Sequence, residues 1–517
     1  MSSGSIHRAW STKQRVLSLR DITAMKALVS GAHRAWRVRV HLVWAQLAVI
    51  ATILLVLPFG RTVDPDFWWH LRTGRLIFSS GVPRSDPFSW TAQGNSWVAH
   101  EWLSEAVIFA TEAALGYAGN VVLFSSATLA ALGLMYALGR RLGAGTRVLV
   151  VLSSVAAAMM GLYFIAVRPQ VFTWLLFAVF VYVLQRRDEG DSVPLWPLPP
   201  LTAIWVNLHL GFVYGLMVVS VWLLATAYRR LREHSIDLVV PLAVTVGCLL
   251  ATLVNPRGPA ILSFIVRYIW EGQFERSINL EWQRPYFDLP VAWPLLVMTF
   301  LIGWALLSRS AGRPFLALLS VVAVVLSVLA ARNAPFVAFL AIPVVGAAAA
   351  DHWRAAHREA DSSASVRAVA VLAASTVAGG VLILVMWFLG ALSGWQPSHA
   401  GYPSRGAAYI QEELPGVRLL NDYNWGGYLI DQVYPSAKVF VDGRTDLYGP
   451  RLIRDYATLA QGEPGWQDLL ARYEVEAVLM PSHSELSRLL RHDPAWQEVV
   501  VGDVESLFVR GATGQVH

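Results

Sequence analysis

Acidic, imidazole, indole and guanidinium groups crowd one stretch of this chain, 64–105, which reads DPDFWWHLRTGRLIFSSGVPRSDPFSWTAQGNSWVAHEWLSE. Asp64 and Asp66 stand two residues apart beside Trp68, Trp69 and His70. Two carboxylates at that spacing can share a divalent cation such as Mg or Mn. A hard cation held by oxygens suits neutralising a phosphate or pyrophosphate leaving group. Alternatively, one carboxylate acts as a metal-free general base on an acceptor. Asp-Pro-Asp is also a common way to begin a helix, here over 66–79, so a capping role stands beside the chemical one. Further along, His100 and Glu101 open an amphipathic stretch, 101–116, expected to lie on a membrane surface. Glu101 either shares a cavity with the first acids or is a first-turn acid favoured by the helix dipole.

Three later places carry polar groups among apolar neighbours. Asn207 and His209, in Trp205-Val206-Asn207-Leu208-His209, would be costly to bury unused. They serve either a site or a hydrogen bond between helices. Glu281 lies among apolar and aromatic residues of a long loop, 255–290, and must be paired or used. Arg332, between two apolar runs, could hold a lipid-linked phosphate through its fork of donors, or simply snorkel to the interface.

The elements that must position these groups are membrane helices. Of 517 residues 55% are hydrophobic and only 15% charged, against about 25% charged in a soluble domain. The 22 tryptophans suit interfacial belts. The net charge of +6 does not point to nucleic acid, because the basic residues sit in short loops and at the N-terminus. Cys248, the single cysteine, excludes an intramolecular disulfide. A basic N-terminus, 1–40, precedes a first span, 41–59, whose flank places the N-terminus in the cytoplasm and the loop 60–118 outside. Further spans are predicted at 119–138, 147–166, 170–185, 196–208, 211–228, 237–254, 291–308, 314–331, 334–350 and 368–391. These make about 11 transmembrane helices, with 196–208 short enough to be re-entrant. Basic clusters at Arg140–Arg141–Arg147, Arg186–Arg187, Arg229–Arg230–Arg232, Arg309–Arg313 and Arg354–Arg358–Arg367 all fall in inside loops of that topology. Isolated arginines such as Arg168 and Arg332 fall outside. The chain thus divides into the N-terminal segment, a transmembrane domain over 41–394 and an extracytoplasmic α/β domain over 395–517. Strands are predicted there at 417–420, 438–441, 475–480, 498–501 and 506–509, with helices at 449–461, 464–473 and 483–492. A bacterial-type cytoplasmic membrane fits this layout.

Four places resemble the GT-C superfamily of membrane glycosyltransferases, and within it the catalytic subunit of oligosaccharyltransferases. Asp64-Pro65, Phe67 and Arg72-Thr73 before Gly81 are similar to that subunit's first-loop motif. Ile278-Asn279-Leu280-Glu281-Trp282-Gln283 is similar to its later-loop motif. Arg332 ahead of Pro343 resembles the arginine that holds the donor phosphate. Tyr423-Asn424-Trp425-Gly426-Gly427-Tyr428-Leu429, followed by Val441-Asp442-Gly443-Arg444-Thr445, resembles a relic of the acceptor-binding motif. Two departures stand out. The second outside loop, Val167-Arg168-Pro169-Gln170, lacks the family's acidic metal ligands, and Trp425-Gly426-Gly427 lacks the acid that recognises a hydroxyl-bearing sequon.

The resemblance therefore implies a polytopic α-helical GT-C-like fold and a transferase using a polyprenyl-phosphate or -diphosphate sugar. It does not carry over an Asn-linked acceptor. Asp64, Asp66 and Glu281 are the implied catalytic residues, with a divalent ion between them or none. Arg332 and Arg72 are the phosphate-binding candidates. His70, Trp69, His100, Glu101, Asn207, His209, Trp425 and Tyr428 are candidates to line the acceptor pocket. Two other functions stay open, a non-catalytic scaffold for envelope polysaccharide assembly and a lipid-linked sugar transporter. Ionisable residues at mid-span would mark the transporter. A scaffold would leave Asp64, His100 and Glu281 far apart.

Overall fold

A computed structural model describes residues 64–164, 166–233, 237–270, 280–285, 292–308, 313–356, 399 and 401–511. The expected N-terminal segment, the spans at 41–59 and 368–391, and Ile278-Asn279 lie outside those residues. The first described element is α1 (Pro65–Ser80), which starts where its sequence dictates. Asp64 caps it by accepting the Asp66 N–H at 3.0 Å, and Pro65 occupies the first turn, where no N–H is needed. Gly81, at φ +84°, ends it.

The bundle follows as α2 (Trp102–Arg141), α3 (Thr146–Tyr163), α4 (Gln170–Asp188), α5 (Leu198–Leu208), α6 (Phe212–Glu233), α7 (Val239–Ala251), α8 (Ala260–Trp270), α9 (Ala292–Leu307), α10 (Pro314–Leu329) and α11 (Ala334–Ala356). Each predicted span in the described residues coincides with one of these helices. Gly116 breaks α2, at the division between the predicted surface stretch and the predicted span. Among the described residues three segments are long and apolar enough to cross a membrane: α2, α6, and α11 counted with the turn before it. Others are apolar but shorter. Among them α5 has 11 residues, a rise of about 16 Å that falls short of a full crossing. Helix α8 departs from the sequence expectation; its apolar residues lie in what reads as a long loop.

The two ends of the bundle differ in charge. At one end the basic loops meet: Arg141 pairs with Glu189 (2.8 Å) and Asp191, and Arg186 with Asp191 (2.8 Å). Arg313 approaches Glu189 at 4.0 Å, and Arg229 pairs with Asp188 at 2.6 Å. These residues gather at the far end of α4 from Arg168, about 28 Å away along a 19-residue helix.

The C-terminal part is an α/β unit: α12 (Ser404–Glu413), β1 (Leu419–Asn421), α13 (Gly426–Val433), α14 (Thr445–Gln461), α15 (Trp466–Arg472), β2 (Ala477–Pro481), α16 (Glu485–Leu490), β3 (Trp496–Val501) and β4 (Glu505–Arg510). The sheet order is β1-β2-β4-β3, with β1 parallel to β2 and the other pairs antiparallel. The predicted strand at 438–441 makes only isolated bridges, because the first loop shares its backbone groups. Val439 N–H donates to Phe88 (3.1 Å), Trp90 N–H donates to Val439 (3.1 Å), and Phe440 N–H goes to the Asn421 side chain (2.8 Å).

That segment is one of three ties between the first loop and the C-terminal unit. The second is a buried ion cluster. Arg444 donates to Asp86 (2.8 Å) and, through two nitrogens, to Asp442 (2.8 and 2.7 Å). Tyr448 also bonds Asp442, and the guanidinium lies 4.7 Å from the Trp97 ring centre. The third tie is close backbone approach. A side chain on Gly427 would overlap the Pro65 carbonyl, and one on Gly443 would overlap the Asp66 carboxylate. The glycines of both C-terminal motifs therefore sit where the unit presses on the start of α1.

Candidate active site

Asp64, Asp66 and Glu281, drawn from the start of α1 and a short turn (Leu280–Trp282), converge on one side chain that the sequence did not single out for chemistry. Arg168, in the link between α3 and α4, points Nε at Asp64 Oδ1 (3.3 Å) and Nη1 at Glu281 Oε1 (2.7 Å), while Nη2 binds Asp66 Oδ2. Pro169 follows it and α4 begins at Gln170, so the guanidinium is carried on a stiff, short link. Trp69 Nε1 donates to the other Asp66 oxygen at 3.1 Å.

The environment pushes the carboxyls apart. Burial raises the Asp64 carboxyl to about 6, with Asp66 and Glu281 adding to the rise and Arg168 opposing it. Burial acts upward on Asp66 as well, but Arg168 and His70 outweigh it and hold that carboxyl below its usual range. Arg168, followed by Arg332, lowers Glu281. One group poised near neutrality beside two that stay ionised is a base-like arrangement. Both contacts of Asp64 with the described residues use Oδ1.

Beside these acids, three imidazoles surround Glu101. Its carboxylate lies 3.7 Å from His70 Nε2, 3.6 Å from His100 Nε2 and 3.4 Å from His209 Nε2. Glu101 stands at the head of α2, where its side chain makes no cap hydrogen bond. His209 Nδ1 accepts from Gly211 N–H (3.0 Å) and from Thr173, whose hydroxyl in turn accepts from Trp205 Nε1 (2.9 Å). Its proton therefore sits on Nε2, toward Glu101. His100 donates Nδ1–H to the Val98 carbonyl (3.0 Å), and although burial lowers it, Glu101 lifts it to about 9, a charged imidazolium. Burial takes His209 the other way, to about 3. His70 packs against Trp69 with ring centres 3.7 Å apart, which links this cluster to Asp66.

Arg332 lies in a turn (Ala331–Asn333) ahead of α11, its guanidinium 4.1 Å from the Trp282 ring centre. The Ala331 N–H donates to Gln283 (2.9 Å) and Asn333 accepts from Tyr214 (2.5 Å), which fix that turn beside Glu281.

Other expected pocket residues stand elsewhere. Arg72 donates to the Tyr434 carbonyl (2.6 Å) and covers that ring, so it docks the C-terminal unit and is not placed at the Arg332 site. Asn207 is the tie between helices that was its alternative role. It accepts from Trp102 (2.7 Å) and donates to Ala203 and Val254 (both 2.7 Å). Trp425 and Tyr428 are buried, Trp425 donating to Gly401 (2.9 Å) and Tyr428 packing against Trp68 and Tyr402. Asp442 and Arg444 of the segment 441–445 belong to the buried ion cluster. Sequence reasoning missed Arg168, Asp86 and Asp446; the last is a half-buried acid in electrostatic reach of His100.

No family model matches the chain, and no curated protein does. Solved structures do. The oligosaccharyltransferase AglB from Archaeoglobus fulgidus, in complex with an inhibitory peptide and a dolichol-phosphate, aligns with a TM-score of 0.55 at 10% identity, covering 85% of this chain and 69% of that one. The Archaeoglobus fulgidus oligosaccharyltransferase in complex with Zn and sulfate aligns with a TM-score of 0.51 at 11% identity, covering 84% and 68%. ArnT from Cupriavidus metallidurans bound to undecaprenyl phosphate gives a TM-score of 0.46 at 14% identity, covering 90% and 98%. The likeness to the two oligosaccharyltransferase structures shows that this chain shares their fold, as its motifs suggested. The divalent ion implied by the same resemblance does not fit the acids as they stand. Arg168 occupies the space between them, and among the described residues no three His, Cys, Asp or Glu side chains could hold a metal ion.

Proposed function

We propose that this chain is a membrane glycosyltransferase that moves a sugar from a polyprenyl-phosphate or polyprenyl-diphosphate donor to an acceptor at the outer face of the membrane. The observation that carries this reading is the convergence of Asp64, Asp66 and Glu281 at one end of a GT-C fold, with Arg332 beside them. His100 joins them through Glu101, His70 and Trp69, which disfavours a scaffold whose polar residues would be scattered. The basic loops gathered at the opposite end support an outward-facing site.

In this reading the donor phosphate lies against Arg332, whose planar fork matches phosphate oxygens. The acceptor's nucleophilic atom attacks the anomeric carbon opposite the phosphate and passes its proton to Asp64. The bond from the anomeric carbon to the phosphate oxygen breaks, and the phosphate leaves with the electron pair, giving inversion. Asp66, held ionised, keeps Arg168 and Trp69 in place around the base. A dolichol-phosphate sits in the AglB complex, and a lipid phosphate is the donor group proposed here.

The test is a panel of radiolabelled polyprenyl-phosphate and -diphosphate sugars offered to the purified protein in lipid nanodiscs, with sugar release to water or to added acceptors measured. Asp64→Asn is expected to lower turnover at least about a hundredfold, the scale of a lost general base. Unchanged turnover in that variant would sink the assignment.

A further inference from the structure

Three carboxylates meeting at one point need a positive charge, and the resemblance of the sequence led to a divalent ion there. The geometry supplies a different cation. Arg168 offers Nε, Nη1 and Nη2 to Asp64, Glu281 and Asp66 respectively, one nitrogen to each acid. Its side chain is 19% exposed, and the carboxylates are 19%, 33% and 21% exposed, so the cluster is largely withdrawn from water.

A guanidinium and a metal ion cannot both serve this point. Three oxygens bound to Mg or Mn must lie about 2.0–2.3 Å from a common centre. Here that centre is filled by a planar group whose nitrogens stand at hydrogen-bonding distance from the same oxygens. The arginine comes from the second outside link, Val167-Arg168-Pro169-Gln170, where the resembled family places acidic metal ligands. The replacement of acids by one arginine and the filling of the gap are thus two sides of one change.

We propose that Arg168 is a built-in counter-ion standing in for the divalent cation, and that this site binds no metal in its working form. The inference rests on the transferase reading for its role in catalysis, while the metal question stands by itself. An arginine keeps its charge at every working pH and cannot be removed by chelators. It also brings one positive charge where a divalent ion brings two, so it quenches the basicity of Asp64 less. The acid that must accept a proton is thereby left able to do so, which suits a base better than a ligand.

The experiment uses the full chain in detergent and Mn2+ as the probe, read by electron paramagnetic resonance and by thermal unfolding in EDTA against millimolar Mn2+. Wild type is expected to bind no Mn2+ at the acids and to unfold at the same temperature in both conditions. Arg168→Ala is expected to bind Mn2+ at least about tenfold more tightly than wild type and to gain an unfolding temperature that rises with Mn2+. Arg168→Lys retains a charge and covers the case in which the alanine variant fails to fold; it is expected to stay as metal-free as wild type. One Mn2+ bound per wild-type chain and lost in Asp66→Asn would overturn the proposal. A folded Arg168→Ala that gains no Mn2+ binding would do the same. Failure of every lipid-linked sugar to react would defeat the transferase reading without altering any of these metal results.

Discussion

Arg444 sets up the sharpest test of how the C-terminal unit is joined to the first loop. Its guanidinium is 2% exposed and bonds Asp86 and Asp442, both 0% exposed at the side chain. Removing it strands two carboxylates in a dry interior. Breaking a buried pair by deleting one partner costs about 3–5 kcal/mol, because the surviving charge is left uncompensated. Arg444→Met keeps most of the volume over Trp97 and Phe88, so the loss measured is mainly electrostatic. For a unit of this size it should lower the unfolding temperature by at least about 10 °C.

Replacing all three members together should behave differently. In Asp86→Asn/Asp442→Asn/Arg444→Met no buried charge remains, and the single amide oxygen introduced by Asp86→Asn can still accept from one of the two N–H groups, Phe88 or Ser89, that the two carboxylate oxygens of Asp86 now cap. Neutral replacement of a whole buried ion cluster is often close to free, so the triple variant should unfold within about 2 kcal/mol of wild type. The assay is thermal unfolding followed by intrinsic tryptophan fluorescence, with Trp97 beneath the guanidinium as a local reporter. A triple variant as unstable as the single one would refute the electrostatic argument. So would a single variant that costs less than about 1 kcal/mol.

The same cluster marks where sequence reasoning stops. Apolar periodicity places the helices of the described bundle within a few residues, and the acids at 64, 66 and 281 stand out by their rarity in so apolar a chain. Partnership is not legible. Val441-Asp442-Gly443-Arg444-Thr445 resembles part of an acceptor-binding motif, and only the fold puts Asp86, more than three hundred residues earlier, against it. Arg168 reads as one of several isolated arginines, because the absence of acids in its link draws the attention that its own charge warrants. The available signal is charge balance: one end of the bundle holds several acids, and a cation on a rigid Arg-Pro link stands at the mouth of α4. Arg72 misleads for the converse reason. Spacing from Asp64 suggests a shared site, but a helix turns 100° per residue, and Arg72 faces Tyr434 instead. The strand expected at 438–441 fails because its backbone groups are claimed by Phe88 and Trp90, outside the sheet.

Four further outcomes follow from the geometry. Gly443→Ala places a methyl against the Asp66 carboxylate, so transfer should fall with little change in how much protein folds, whereas Gly133→Ala, with open space around it and helical backbone, should leave activity unchanged. His100, lifted from 6.5 to about 9 by its partner, stabilises the fold fully below about 6.5, and that contribution drains away as pH rises through about 9. It is worth at most about 3 kcal/mol, and unfolding temperature against pH should lose that slope in His100→Gln; a slope retained in the variant would assign it to another group. Asp64, held near 6, must be ionised to accept a proton, so turnover should drop about tenfold between pH 7 and pH 5. Glu281→Gln removes a like charge from its surroundings and frees Arg168 to attend to Asp64 more closely. Both effects favour the ionised form, so the acid limb should move to lower pH even as the maximal rate falls. A limb that stays in place, or moves upward, would mean that the titrating base is a different group.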